Sequence, residues 1–280
     1  MKLFGIIVVL IAVLLIATAL PFLPGRYDAV AVPLSGFARG LGLASLLLVP
    51  IGVLWLLYEY RTANNGSHGI RAGIVVAALG AGTLALLFAT IFAVGQGGTA
   101  LAVGILSIWG LVLWQSGRRV LDWARQTPGK VLSGAWALIL TPCMVAGSQF
   151  ALASPLTKFA WNKTMDGMAP LIADIERYRA ANNQYPRSLF SEWCDYRPAV
   201  IGVCRYQYEP IGNAYSLAVE MPTFSFDSRE FLLYNPSDHP AMTSHDADLL
   251  QRSAAELIQY RGYHSATPLH RAHWTLLSYD

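Results

Sequence analysis

The side chains able to do chemistry are few, and they gather late in the chain. Of 6 histidines in 280 residues, five lie near the C-terminus: His239, His245, His264, His270 and His273. A metal centre needs three or more converging ligands, and only His264 with His270-x-x-His273 approaches one. A strand reaching back to His270 would turn His270 and His273 to opposite faces, so these rings are expected to be exposed, not ligating. Asp246 and Asp248 precede a helical pattern, where aspartate most often caps. A Ser-His-Asp assembly has no fixed order in sequence, yet neither Gly-x-Ser-x-Gly nor His-Glu-x-x-His occurs. No catalytic, cofactor-binding or metal-ligating set is therefore expected, and no cofactor.

The three cysteines divide in the same way. Cys143 lies in an apolar stretch and reads as a small buried apolar residue. Cys194 and Cys204 flank a nine-residue loop. On an oxidising side of a membrane a bridge between them would persist and would stabilise by ~2–3 kcal/mol. A Cys194–Cys204 disulfide is expected; two free thiols or a redox pair stay open, and the spacing is too wide for a CxxC motif.

What must position these residues is set by composition. The chain is 54% hydrophobic and 13% charged, against about 25% charged for soluble proteins. Up to Pro155 there are 9 Lys/Arg and 3 Asp/Glu; from Leu156 on there are 11 and 14, so a half of net charge +6 precedes one of −3. Disorder, a disulfide-dense miniprotein and a soluble cytosolic enzyme are excluded. Two domains are expected: a transmembrane helical bundle over Met1–Pro155 and a water-exposed α+β domain over Leu156–Asp280. A spanning helix needs about 20 mostly apolar residues. Five stretches qualify, Leu3–Pro21, Gly40–Tyr58, Ile74–Val94, Thr99–Trp114 and Val131–Ser154, and none holds an ionisable Asp, Glu, Lys, Arg or His. Trp55, Tyr58, Trp114, Trp136 and Trp161 lie at or near their ends, where amphipathic rings favour the headgroup level.

Basic residues in short loops orient such a bundle. With the N-terminus cytoplasmic, that side receives Lys2, Arg61, Arg71, Arg118, Arg119, Arg125 and Lys130, and the other side only Arg26 and Arg39. The expected location is the inner (plasma) membrane, with the C-terminal domain periplasmic or extracellular. The first span also resembles a signal peptide, with Ala17-Thr18-Ala19 as a small-residue cleavage site; both readings put the C-terminal domain on the same side.

Within the spans the polar residues are Thr, Ser and Gln, among them Thr83, Thr90, Ser107, Thr141, Ser148 and Gln149, expected to bond carbonyls or neighbouring helices. The absence of charge weakens a transport reading. Gly73, Ala77, Ala81, Ala85, Ala89 and Ala93 recur every four residues in the third span. Small residues let helices approach closely, so this span is read as the central helix, with a homo-oligomer seam as the sharper alternative. Arg118–Arg125 reads as a positive-inside loop or a short amphipathic helix, and Gly95-Gln-Gly-Gly98 as a tight turn.

In the second half, three-to-four spacing of Met165, Met168, Ile172, Ile175 and Tyr178 predicts a helix over Ala169–Ala181, with Pro170 in its first turn. One further helical turn is expected at Pro186–Trp193. Strands are predicted at Cys204–Glu209, Ala214–Met221, Phe231–Tyr234 and Ala272–Tyr279, and a second helix at Asp246–Tyr260.

Leu171-Ile-Ala-Asp-Ile-Glu-Arg-Tyr178-Arg-Ala-Ala-Asn-Asn-Gln-Tyr185-Pro186-Arg-Ser-Leu189 resembles the globular start of type II secretion major pseudopilins and related pilin-like domains. Arg205-Tyr-Gln-Tyr208 and Asn213-Ala-Tyr215-Ser-Leu217 are similar to the hairpin that follows there. The resemblance implies a helix packed on a sheet, with Tyr178 and Leu189 between them and Tyr206, Tyr208, Tyr215 and Leu217 giving alternating sheet faces. It does not extend to a processed pilin stem: Leu10 and Ile139 stand where such a stem would carry glutamate, so a filament subunit is not expected.

The function expected is that of a noncatalytic integral membrane protein that displays a pilin-like domain to another envelope protein. A membrane enzyme or lipid-handling protein is the alternative. The lipid bilayer is the other expected partner, and an outer charge of −3 without a basic run speaks against nucleic acid.

Overall fold

The computed structural model of the protein describes residues 2–61, 68–126, 132–189, 196–211, 213–225, 228–238 and 263–279. The chain divides into two units, one of Met1–Leu20 with Val30–Ala153 and one of Pro21–Ala29 with Ser154–Asp280. The second unit thus takes in a nine-residue segment from near the N-terminus, which composition alone assigned to the bundle.

The described residues of the first unit are almost all helical. Helix α1 (Lys2–Ala19) leads into a 3-10 turn at Leu20–Phe22. Helices α2 (Ala31–Ala44) and α3 (Leu48–Arg61) follow, joined by a second 3-10 turn at Ser45–Leu47. Then come α4 (His68–Gly95), α5 (Thr99–Gln126) and α6 (Leu132–Asn182). Among the described residues, four segments are long and apolar enough to cross a membrane: Phe4–Phe22, Ala31–Arg61, Ile70–Gly95 and Leu132–Asn182; Thr99–Gln115 is a shorter apolar helix. The second apolar segment begins at Ala31, not Gly40, so Arg39 lies inside it. The basic stretch Arg118–Arg125 is neither a loop nor a separate helix but the last turns of α5.

Helix α4 packs against α2, α3 and α5, which makes it the central helix of its unit. The small-residue series splits along it: Ala85, Ala89 and Ala93 are buried, Ala81 is half-buried, and Gly73 and Ala77 are exposed. Each four-residue step advances about 40° past a full turn, so one straight face cannot hold the series. Its buried part meets α2, where a Cβ on Gly40 would stand 3.0 Å from the Ala89 Cα. Between α4 and α5 the chain reverses tightly. Gly97 has φ +84°, a left-handed conformation that glycine adopts without Cβ strain, and the Gly98 N–H donates to the Ala93 carbonyl at 2.8 Å.

Helix α6 is continuous over 51 residues. The helix read from Ala169 is its last part and does not begin at Pro170; α6 runs through Pro142, Pro155 and Pro170 without a break. Proline removes one donor and strains the turn before it, yet the helix continues through all three, Pro142 buried and Pro155 and Pro170 exposed.

Five antiparallel strands form the sheet: β1 (Gln207–Ile211), β2 (Ala214–Met221), β3 (Arg229–Tyr234), β4 (Tyr263–Pro268) and β5 (Trp274–Tyr279), in the order β1-β2-β3-β5-β4. Register pairs Leu217 with Tyr234, and Tyr234 with Trp274. Period-two alternation sends Tyr215, Leu217, Val219, Met221, Leu232 and Trp274 to one face, where they form a core with Met165, Met168, Leu171 and Ile175 of α6. Tyr208 and Tyr206 pack on this same core, so the four hairpin residues expected to alternate all serve one face. Leu189 also packs there. On the opposite face Ala218, Phe231, Leu233, Ala266 and Leu277 make a second buried cluster. Residues 186–189 are not helical, and the helix expected at Asp246–Tyr260 lies outside the described residues.

Candidate functional site

Polar groups buried in apolar surroundings are the natural starting point, since each must be satisfied or functional. The helical unit has two such centres. In the first, the Ser35 hydroxyl donates to the Thr18 carbonyl at 2.8 Å. The Gln149 amide donates both to the Thr18 hydroxyl at 3.1 Å and to the Ala38 carbonyl at 3.0 Å. Thr18, Ser35 and Gln149 are all buried. Gly42 makes this geometry feasible, because a Cβ there would run into the Gln149 amide. Beside it on α2, Arg39 is 4% exposed, and its Nε donates to the Ser35 carbonyl at 3.3 Å. With its amide turned to satisfy both neighbours, Gln96 accepts from Arg39 Nη2 at 3.2 Å and donates to the Val32 carbonyl at 2.7 Å. Arg39 is therefore not a loop residue, as a count of basic residues between apolar stretches made it, but part of a network joining α1, α2, α6 and the α4–α5 turn.

The second centre links α3 to α4. Arg71 donates to the Glu59 carboxylate through Nε at 2.9 Å and Nη2 at 3.2 Å, and the Trp55 indole N–H donates to the same carboxylate at 3.1 Å. Both ions are buried. Sequence reading left Glu59 and Arg71 at the ends of apolar stretches; twelve residues apart in sequence, they carried no periodic signal of pairing. The other intramembrane-type polar groups bond locally as expected: Thr83 to the Leu79 carbonyl, Thr90 to that of Leu87 and Ser107 to that of Val103. The Trp109 indole also donates to Thr83, from α5 to α4, at 3.2 Å.

In the α+β unit the densest polar cluster is aromatic. Arg179 donates to the Tyr185 hydroxyl at 2.6 Å and stacks over its ring at 4.6 Å. The Tyr185 hydroxyl donates to Glu176 at 3.3 Å, and that of Tyr208 to the Pro186 carbonyl at 2.7 Å. Tyr215 lies at their centre, with ring centroids 4.9 Å from Tyr185, 5.7 Å from Tyr208 and 6.0 Å from Tyr234. Burial drives the Tyr215 phenol far above its ordinary range, and the nearby Tyr234 and Glu176 push the same way. Such phenols stay neutral at any physiological pH, so the cluster offers packing and hydrogen bonds, not acid–base chemistry.

Of the three grouped histidines, the structure describes the side chains of His270 and His273. His270 is exposed. His273 adopts φ 69° and Asp238 φ 57°, and the two side chains meet at 3.0 Å, closing the turn after β3 onto the β4–β5 loop. Of the other histidines, His239 and His245 lie outside the described residues, as do Asp246 and Asp248. Among the described residues no three His, Cys, Asp or Glu side chains gather as a metal site.

Cys143 is exposed on α6, not buried as its apolar surroundings suggested. Cys204 is an exposed thiol, close enough to Tyr27 that it adds to the upward shift which burial gives that phenol. Cys194 lies outside the described residues, and no disulfide is present among those described.

The segment that sequence reading missed altogether is Pro21–Ala29. Phe22 is fully buried in the α6–sheet core and stacks on Phe224 with centroids 4.8 Å apart. Pro24 pairs antiparallel with Val200. Gly25 N–H donates to the Ala199 carbonyl at 3.0 Å, Ile201 N–H to that of Leu23 at 3.0 Å, and Gly202 N–H to that of Pro21 at 2.8 Å. The approach is close enough that a Cβ on Gly202 would stand 2.7 Å from the Pro21 carbonyl oxygen. Compared with known proteins, the chain matches no family model, no curated protein and no solved structure.

Proposed function

We propose that this is a noncatalytic integral membrane protein of the inner (plasma) membrane, with a cytoplasmic N-terminus, that displays its α+β domain outside for contact with another envelope protein. The carrying observation is α6, one unbroken helix that begins in an apolar stretch and ends as the central packing element of the sheet. A helix of this kind is the stem of a displayed domain, and its packing across an antiparallel sheet supports the pilin-like reading.

Hydrogen bonds support the topology independently of the basic residues. Pro21–Ala29 is bonded to Ala199–Gly202, so both belong on one side of a bilayer. The chain between them must then cross an even number of times. Ala31–Arg61, Ile70–Gly95 and the first part of Leu132–Asn182 supply three crossings; the fourth is the short apolar part of α5, Thr99–Gln115. With α1 the count is five, and the N-terminus lies opposite the displayed domain. On that oxidising side a Cys194–Cys204 bridge belongs to the proposal.

The noncatalytic part is tested by replacing His264, His270 and His273 together with alanine. The variant is expected to fold and to leave the cellular phenotype of the wild type nearly intact, while crosslinkers placed at Ser237 in intact membranes join the domain to another envelope protein. A stably folded triple variant with a null phenotype would move the reading to a membrane enzyme.

A further inference from the structure

We propose that α1 is a retained structural span and not a removable signal, because Thr18, inside its cleavage-like Ala17-Thr18-Ala19, is built into the hydrogen-bonded core of the helical unit. The proposal rests on the membrane reading only in taking α1 as a span.

The observation that carries it is Thr18, which is fully buried. Its hydroxyl donates back to the Leu14 carbonyl at 2.8 Å while accepting from Gln149, and its carbonyl accepts from Ser35. Removing α1 would strip Ser35 of its acceptor and Gln149 of one of two, in a part of the chain where lost hydrogen bonds have no water to replace them. Secretory signals, by contrast, leave the mature protein with nothing owed to them.

The test is the intact mass of the full-length protein extracted from membranes, together with its N-terminal peptide. The expected result is a chain that keeps residues 1–19; a mature terminus at Leu20 in folded protein would overturn the proposal. A variant of the full chain adds a structural readout: Thr18→Val is expected to lower the unfolding temperature in detergent, and a wild-type unfolding temperature would overturn the proposal. A domain found on the cytoplasmic side would undo the topology above and would leave the mass result untouched.

Discussion

Truncating Ile175 to alanine tests how the displayed domain is held together. Ile175 is 0% exposed and belongs to the cluster that joins α6 to the sheet through Tyr215, Leu217 and Leu232. The substitution deletes three carbon atoms. At ~0.8 kcal/mol per buried CH2, transfer alone accounts for about 2.4 kcal/mol. The helix and the sheet are each fixed by their own backbone hydrogen bonds, so the void closes only in part and the loss lies within the ~2–5 kcal/mol known for such truncations. A loss of about 3 kcal/mol enlarges the open population roughly 150-fold. Pulse proteolysis of the full-length protein in detergent, across a urea series, reads that population directly. Arg177→Ala is the control: its side chain is 76% exposed, and such surface changes stay within about 0.5 kcal/mol. If Ile175→Ala behaves like Arg177→Ala, the core described here is not what holds the domain.

Glu230 gives a pH test. It lies in β3 with its Oε2 buried and unpartnered, and burial raises its carboxyl above the ordinary value against an opposing hydrogen bond from Thr223. The folded state therefore holds this proton more tightly than the unfolded chain does. That contribution is fully present below the unfolded carboxylate value of about 4.3 and is lost as pH rises through the folded one; Glu230→Gln is expected to flatten this dependence and to raise stability at neutral pH, and an unchanged urea midpoint profile from acid to neutral pH would refute it. Non-reducing peptide mapping of protein made with its C-terminal half in an oxidising compartment is expected to link Cys194 to Cys204 and to leave Cys143 alkylatable after denaturation; both recovered as free thiols would remove the bridge from the proposal.

Periodicity carried most of what could be read in advance. The apolar stretches, the Ile172–Ile175–Tyr178 face and the hairpin of β1 and β2 each repeat over many residues, and repetition is what sequence reading detects. What escaped it has no period. Pro21–Ala29 is short, rich in Pro and Gly, and its partners at Ala199–Gly202 lie far along the chain. Strand β4, Tyr-His-Ser-Ala-Thr-Pro, has one β-branched residue and a proline, so propensity argued against it while pairing to β5 secured it. Arg39 was misplaced because a charge beside an apolar run reads as the end of that run; the Ser35 carbonyl on α2 and Gln96 in the α4–α5 turn help it stay inside. Glu59 and Arg71 were overlooked for the same reason, each compensating the other's burial. Pro170 read as the first turn of a helix, whereas α6 runs through it from Leu132.

Single-cysteine labelling in intact cells tests the displayed, five-span arrangement most directly. In a background with Cys143, Cys194 and Cys204 replaced by serine, a cysteine is placed at Ser237, in the turn after β3, or at Gln126, at the end of α5. A membrane-impermeant maleimide is expected to label the Ser237→Cys protein in intact cells or spheroplasts, and the Gln126→Cys protein only after the membrane is opened. Labelling of Gln126→Cys in intact cells with Ser237→Cys protected would contradict the arrangement, the orientation and the display of the α+β domain together.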